Sequence, residues 1–394
     1  MESVKRLIER DKCTGCEACV ESCPVKAINM EKDKDGFYFP VIQENNCINC
    51  GFCGKVCPVE KENTFRKIDY NDSLAYGGYN TNIEELRSST SGGFFGVLAT
   101  YVINRDGIVF GVVYRDDFRN VVYDSSDTIS INAMKGSKYV TAHKKGVYGR
   151  VKKELESRRL VLFVGLPCEI AGLFAVLKKD YDNLITCELI CAGPASYNLH
   201  DAQLDWIENK YKGKTSYFSY RSKKYGWVPL CLKAKNGNHV YDTVYENTLF
   251  GIGFPYAKRL ACFNCWYKDT RRLADFTIGD FWRVNRGTEY YNEEGTSVVF
   301  ARTTKAENII NNLDSFKKVK VDQEVALRGN YTQLKISSEI PRQREEYLKT
   351  LRSQGPNMSA YIKYKPNMNM KTKIKKSLPP TIYRFLRRFD NGKF

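Results

Sequence analysis

Cys13-Thr-Gly-Cys16-Glu-Ala-Cys19-Val-Glu-Ser-Cys23-Pro24 and Cys47-Ile-Asn-Cys50-Gly-Phe-Cys53-Gly-Lys-Val-Cys57-Pro58 are two copies of one pattern, C-x2-C-x2-C-x3-C-P. Two residues between thiolates let a short loop wrap three sulfurs around one face of an iron–sulfur cubane. The fourth cysteine, ahead of a turning proline, serves the other cluster. The expected sets are therefore Cys13, Cys16, Cys19 and Cys57 for one 4Fe–4S cluster, and Cys47, Cys50, Cys53 and Cys23 for the other. Zinc is the simpler alternative, but no histidine lies near to complete a mixed tetrahedral site. Disulfides are the second alternative, and thiolates that hold clusters must stay reduced, which points to a reducing compartment.

Residues 1–65 resemble a two-cluster bacterial ferredoxin. With 394 residues the chain is too long for that alone, and 42% apolar content is ample for further packed domains. The charged Met1–Asp11 stretch does not read as a signal peptide, and no apolar run is long enough to span a bilayer. A cytoplasmic location is expected, with the inner face of the membrane as an option for the tail. Only His143, His200 and His239 are present, which disfavours histidine-based hydrolysis and suits chemistry carried by a cofactor. The net charge of +17 is concentrated at the end. From Pro356 to Phe394 ten Lys and Arg face the single acid Asp390.

Residues 69–86 are polar and read as a linker. Ser88-Ser89-Thr90-Ser91-Gly92-Gly93 precedes the apolar Phe94–Ile103 stretch, the mark of a helix N-terminus. Its N–H groups would suit a phosphate, but on the motif alone an ordinary hydroxyl cap is the simpler reading. Residues 107–114 and 120–123 read as paired strands, and 135–140 as an exposed loop. Residues 146–159 read as a basic amphipathic helix. Leu160–Leu166 and Leu184–Ile190 read as buried parallel strands around a helix near Ile170–Lys179. Cys168 and Cys191 follow those strands and so belong at one carboxyl edge of the sheet, where such folds place their sites. A helix over Ser196–Tyr211 follows, then strands at 215–221, 228–235 and 239–245. Cys262-x-x-Cys265, taken with Cys168 and Cys191, supplies four thiols, enough for a third cluster. Zinc, redox and core roles stay open from spacing alone. Cys187 and Cys231 lie within apolar strands and read as packing residues. A last strand at 295–302 and a helix at 305–313 complete the folded part. Four prolines interrupt the tail, and Thr381–Phe389 could form a basic–aromatic helix for an anionic membrane or an acidic partner, or a solvated end.

Ser91-Gly92-Gly93, Gly136-Ser137-Lys138-Tyr139, Val164–Leu173, Cys191–Ser196, Gly226-Trp227, Cys262-x-x-Cys265 and Ala274–Trp282 occur in a telling order. As a set, from about residue 72 to 312, they resemble the beta-subunit family of coenzyme F420-reducing hydrogenase and dehydrogenase. The resemblance implies an FAD next to an iron–sulfur cluster. It implies Cys168, Cys191, Cys262 and Cys265 as ligands of a third 4Fe–4S cluster, and Ser91, Gly92, Gly93 and Lys138 around the flavin. Where the family usually has His after the second of these cysteines, this chain has Ala192, which leaves the substrate open.

The expected fold is thus α+β or α/β: a ferredoxin-like domain at 1–65, then a mixed α/β flavin-binding module. The N-terminal part of that module falls at 66–150 and the C-terminal part at 151–330, with a basic extension at 331–394. The expected function is an iron–sulfur flavoprotein oxidoreductase exchanging hydride with coenzyme F420 or another small molecule. Family members with a fused ferredoxin include some thought to serve bacterial saccharide biosynthesis. The alternatives are an electron-relay subunit without its own substrate and, more weakly, a scaffold that has lost its flavin. Expected partners are a low-potential donor such as a ferredoxin or hydrogenase subunit, a small hydride acceptor and an anionic membrane surface at the tail, with no nucleic acid. No catalytic acid or base is assigned.

Overall fold

The computed structural model describes residues 7–59, 73–269 and 271–365, with 378, 379 and 382. The expected Thr381–Phe389 helix, apart from residue 382, and most of the basic tail lie outside the described residues. Among those described, no helix is long and apolar enough to cross a membrane.

Near the N-terminus, strands β1 (Ile28–Lys32) and β2 (Tyr38–Ile42) form an antiparallel hairpin. The one-turn helices Ala18–Glu21 and Phe52–Lys55 carry the two cysteine loops. The body follows, with β3 (Leu74–Asn80), β4 (Ile108–Tyr114), β5 (Val121–Ser125), β6 (Val161–Gly165) and β7 (Leu184–Leu189). Next come β8 (Thr215–Ser222), β9 (Cys231–Asn236) and β10 (His239–Val244), a separate antiparallel sheet. Strands β11 (Phe276–Asp280), β12 (Ser297–Ala301) and β13 (Phe316–Val321) return to the main sheet.

The main sheet has eight strands in the order β13-β3-β12-β11-β7-β6-β4-β5. Its centre, β11-β7-β6-β4, is parallel, and the flanking pairs are antiparallel. Strand β6 shows why the centre is apolar throughout. Leu162 and Val164 face a core shared with helix Phe94–Ile103, whereas Val161 and Phe163 face a core shared with helices Val147–Glu156 and Pro167–Leu177. Side chains alternate across a strand, so covering both faces demands a continuous apolar run.

Two expectations need correction. The segment read as a linker is strand β3 followed by helix Ile83–Ser88, whose first turn is capped by the Asn82 side chain. Its Tyr, Asn and Gly composition hides the strand because the sheet is crowded there. A Cβ on Gly78 would lie 2.1 Å from the Lys317 carbonyl oxygen, and one on Gly77 would lie 2.4 Å from the Tyr290 ring. The strand read as the last, β12, is followed by β13, which pairs with β3 and carries three lysines among its six residues. An edge strand with charged side chains lacks the apolar signature that betrays an inner one.

A third core lies between helix Tyr197–Tyr211 and the small sheet, and the C-terminal segment completes it. Tyr347, Leu348 and Leu351 of helix Arg344–Gln354, with Tyr361 and Tyr364, are buried there. Residues 331–365 are therefore part of the folded body rather than an appendage.

Candidate redox site

The hairpin and its two short helices arrange the eight N-terminal cysteines in two groups. Cys13, Cys16, Cys19 and Cys57 line one small cavity, together with Cys53 at its margin. Cys23, Cys47, Cys50 and Cys53 line another. The crossing of Cys23 and Cys57 between the loops is the one expected from the sequence. The loops turn at Gly15 and Gly51, both at positive φ, a conformation open to glycine without strain. Burial raises Cys16 to about 12 and drives Cys19 well above the ordinary thiol range, with neighbouring sulfurs adding to both shifts. Four thiolates so placed would repel one another without a cationic centre between them, so this donor set fits a cluster. No three His, Cys, Asp or Glu among the described residues are arranged to hold a single metal ion.

Cys168, Cys191, Cys262 and Cys265 also come together, from three separate places in the chain. Cys168 opens helix Pro167–Leu177 after β6, and Cys191 follows β7. Both stand at the carboxyl edge of the parallel strands, as expected. Cys262 closes a 3-10 turn, with its Cβ near Gly193. Burial lifts Cys168 well above the ordinary range, Cys191 to about 11 and Cys262 to about 12, and in each case another cysteine of the group adds to the rise. The Gly193 N–H donates to the Cys191 sulfur at 3.2 Å. Cys187 and Cys231 are fully buried in the packed strands.

Beside this group the carboxyl edge opens into a cavity of about 400 Å³. Ser91, Gly93 and Lys138 line it, as do residues 135–140, 164–166, 191–194 and 278–280. Gly92 does not line it; its N–H donates to Ser297 Oγ at 3.0 Å and fixes the turn. A Cβ there would meet Gly78 O and Ser297 N at 2.4 Å. The hydroxyls ahead of helix Phe94–Ile103 do not cap it, contrary to the ordinary reading. Gly93 is the cap residue, Ser91 Oγ donates to Thr296 O and Ser89 Oγ to Glu85 O. The helix therefore presents its first turn and positive dipole end to the cavity without a side-chain cap. Residues 135–140, read as an exposed loop, form a wall instead. Lys138 borders the cavity, but its ammonium donates to the carbonyls of Ala133, Met134 and Lys135 at 2.8–3.0 Å. Burial lowers it to about 7. Its role is to close the end of helix Ile131–Met134 under the wall.

Residues 158–326 match the family model for the C terminus of the coenzyme F420 hydrogenase/dehydrogenase beta subunit. Residues 12–61 match, and are, a 4Fe–4S dicluster domain. The chain is similar in structure to one from the xenon-derivatised F420-reducing NiFe hydrogenase complex of Methanosarcina barkeri. That likeness has a TM-score of 0.45 and 14% identity, over 69% of this chain and 91% of that one. Comparison with curated protein sequences gave no match.

Two parts of the site were not singled out by sequence. The first is a polar brace on the cavity wall. Arg221 donates both guanidinium nitrogens to Asp280 at 3.0 Å, and Trp227 Nε1 donates to the same carboxylate at 2.7 Å. Trp227 and Trp282 stack with ring centroids 5.4 Å apart. Asp280 and the tryptophans lie within quoted motifs, but Arg221 comes from β8 in the other sheet and only the fold brings it in. The second is a buried network between the dicluster domain and the module. Lys144 pairs with Glu169 at 2.9 Å and donates to Gly15 O at 3.1 Å. Glu169 also accepts from Tyr123 OH at 2.7 Å and from the Leu166 N–H at 2.9 Å. Tyr148 OH donates to Cys16 O at 2.8 Å. Gly172 permits this approach, since a Cβ there would lie 2.8 Å from Tyr148 OH and 3.1 Å from Cys16 Cβ. The network joins the loop carrying Cys16 to the helix carrying Cys168.

Proposed function

We propose that the chain is an iron–sulfur flavoprotein oxidoreductase that exchanges hydride with coenzyme F420 or another small molecule. The observation that carries this reading is the 400 Å³ cavity, walled by widely separated motifs and bordered by Cys191. In this reading Cys13, Cys16, Cys19 and Cys57 hold one 4Fe–4S cluster, and Cys23, Cys47, Cys50 and Cys53 a second. Cys168, Cys191, Cys262 and Cys265 hold a third, and FAD occupies the cavity. Clusters pass electrons singly and a flavin exchanges them in pairs, which is the chemistry these groups supply when bound.

The chain's own residues position and insulate. Gly93 and the first turn of helix Phe94–Ile103 offer N–H groups to an anionic part of the ligand. The turn at Ser91 and Gly92 is pinned to Ser297 and Thr296, so this end is rigid. The Arg221–Asp280–Trp227 brace fixes the adjoining wall, where Arg221 also donates to Thr90 O. Burial of Lys144, Glu169 and Tyr148 keeps water from the space between the dicluster loop and the Cys168 helix.

The test is anaerobic purification of the full chain, extraction of its flavin, and reduction of the bound flavin by a reduced viologen. Stoichiometric FAD that the viologen reduces, and that coenzyme F420 or another small acceptor reoxidises, is the expected result. A chain that binds clusters but takes up no flavin would refute the cavity assignment.

A further inference from the structure

The dicluster domain is not merely laid on the module; the module drives a guanidinium into it. Arg259 is 1% exposed, yet among the described residues no carboxylate pairs with it. Its guanidinium donates to Cys13 O at 3.3 Å and to Tyr38 O at 2.7 Å. It lies 3.0 Å from where a Cβ on Gly15 would stand, and 4.6 Å from the centre of the Phe39 ring. Phe37, Phe39 and Cys13 form the small core of the dicluster domain, so Arg259 reaches into that core. Lys144, also 1% exposed, donates to Gly15 O of the same loop, but its charge is balanced by the buried Glu169 at 2.9 Å and by Glu17. Arg259 thus brings a positive charge to the loop of the Cys13, Cys16, Cys19 and Cys57 group, the inner one. The outer group differs. Cys50 is exposed and Ile48 is 61% exposed, and the Lys178 ammonium that sits 4.2 Å over the Phe52 ring of that loop belongs to an exposed side chain, its charge screened by water.

Adding an electron to a cluster adds a negative charge. Burial opposes that, and by burial alone the inner group would be the harder to reduce. Fixed positive charge in a low-dielectric setting acts the other way, and more strongly than it would in water. Resting on the cluster reading above, we propose that Arg259 makes the inner dicluster site easier to reduce than the outer one. A one-electron protein donor then meets the exposed Cys50 face and its electron moves inward. The outer site loses one electron and the inner gains one; no bond breaks and no proton moves.

The anaerobically purified full chain, with its clusters, is titrated with reductant and followed by electron paramagnetic resonance. A water-borne relaxing agent marks the exposed outer signal. The expected result is that, of the two signals spin-coupled to each other within the dicluster domain, the protected one grows in at the higher potential, the third, central cluster being set apart by its absence in Cys191→Ser. In Arg259→Gln, which keeps a donor but loses the charge, the reduced-to-oxidised ratio of the protected site falls at least tenfold at fixed potential. That is about 59 mV for a one-electron couple. The exposed site is unmoved, and Arg259→Lys restores most of the loss. The proposal is overturned if the exposed site reduces first in the native chain, or if R259Q moves both signals equally or neither. Should R259Q not retain both clusters, the order in the native chain decides. Absence of any cluster signal in the native chain would instead refute the cluster reading itself.

Discussion

Replacing Lys144 by methionine tests the buried joint between the two domains. The Lys144 and Glu169 side chains are 1% and 3% exposed and 2.9 Å apart. Burial works against the charge on Lys144, but Glu169 and Glu17 raise its proton affinity above that of an ordinary lysine. K144M removes the ion pair and the bonds to Gly15 O and Ala142 O, leaving Glu169 with only Tyr123 and the Leu166 N–H for support. Breaking a buried pair from one side costs about 3–5 kcal/mol, because the abandoned charge stays desolvated. At roughly 2 °C per kcal/mol for a large domain, the melting midpoint should fall by about 6–10 °C. The assay is anaerobic thermal unfolding of the native chain, K144M, Glu169→Leu and the double variant. Removing both partners leaves no orphaned charge, so the double variant should be less destabilised than the two single losses added together. A loss under about 1 kcal/mol in K144M, or strictly additive losses, would refute the reasoning.

Three further outcomes are expected. His200 is fully buried, with its ring nitrogens against Tyr220 OH and the Phe118 carbonyl, and burial lowers it from 6.5 to about 4. The unfolded chain therefore binds this proton first as pH falls, and stability drops from about pH 6.5 toward 4. At pH 5.5 the loss is about 1.2 kcal/mol relative to neutral pH; thermal midpoints at the two pH values should diverge more in the native chain than in His200→Gln, and equal divergence would contradict this. Gly92→Ala should cost about 1–3 kcal/mol or more, because its Cβ meets strand backbone on two sides. Thermal unfolding checks this, and a change under about 0.5 kcal/mol would place the turn elsewhere. Cys191→Ser should lower iron by about four atoms per chain, whereas Cys187→Ser should leave iron unchanged. Equal iron in the two variants would remove the central site.

The dicluster spacing was legible because the cofactor's geometry dictates it residue by residue. The parallel strands β6 and β7 were legible because burial on both faces forces an apolar run, and that placed Cys168 and Cys191 on one edge. Strand β3 was not, since glycines demanded by close packing look like a linker. The missed parts of the site share one cause. Arg221, Lys144 and Arg259 are single basic residues in a chain with 62 of them. Only tertiary contact separates a buried cation from a solvated one. Lys138 shows the converse: the sequence placed it at the cavity, but its ammonium serves three main-chain carbonyls rather than the opening.

Iron and flavin counted together on the same anaerobic preparation weigh the whole account. It predicts about twelve iron atoms and one FAD for each chain. About eight iron atoms with no flavin would leave the dicluster domain intact and contradict the redox centre placed at the sheet edge.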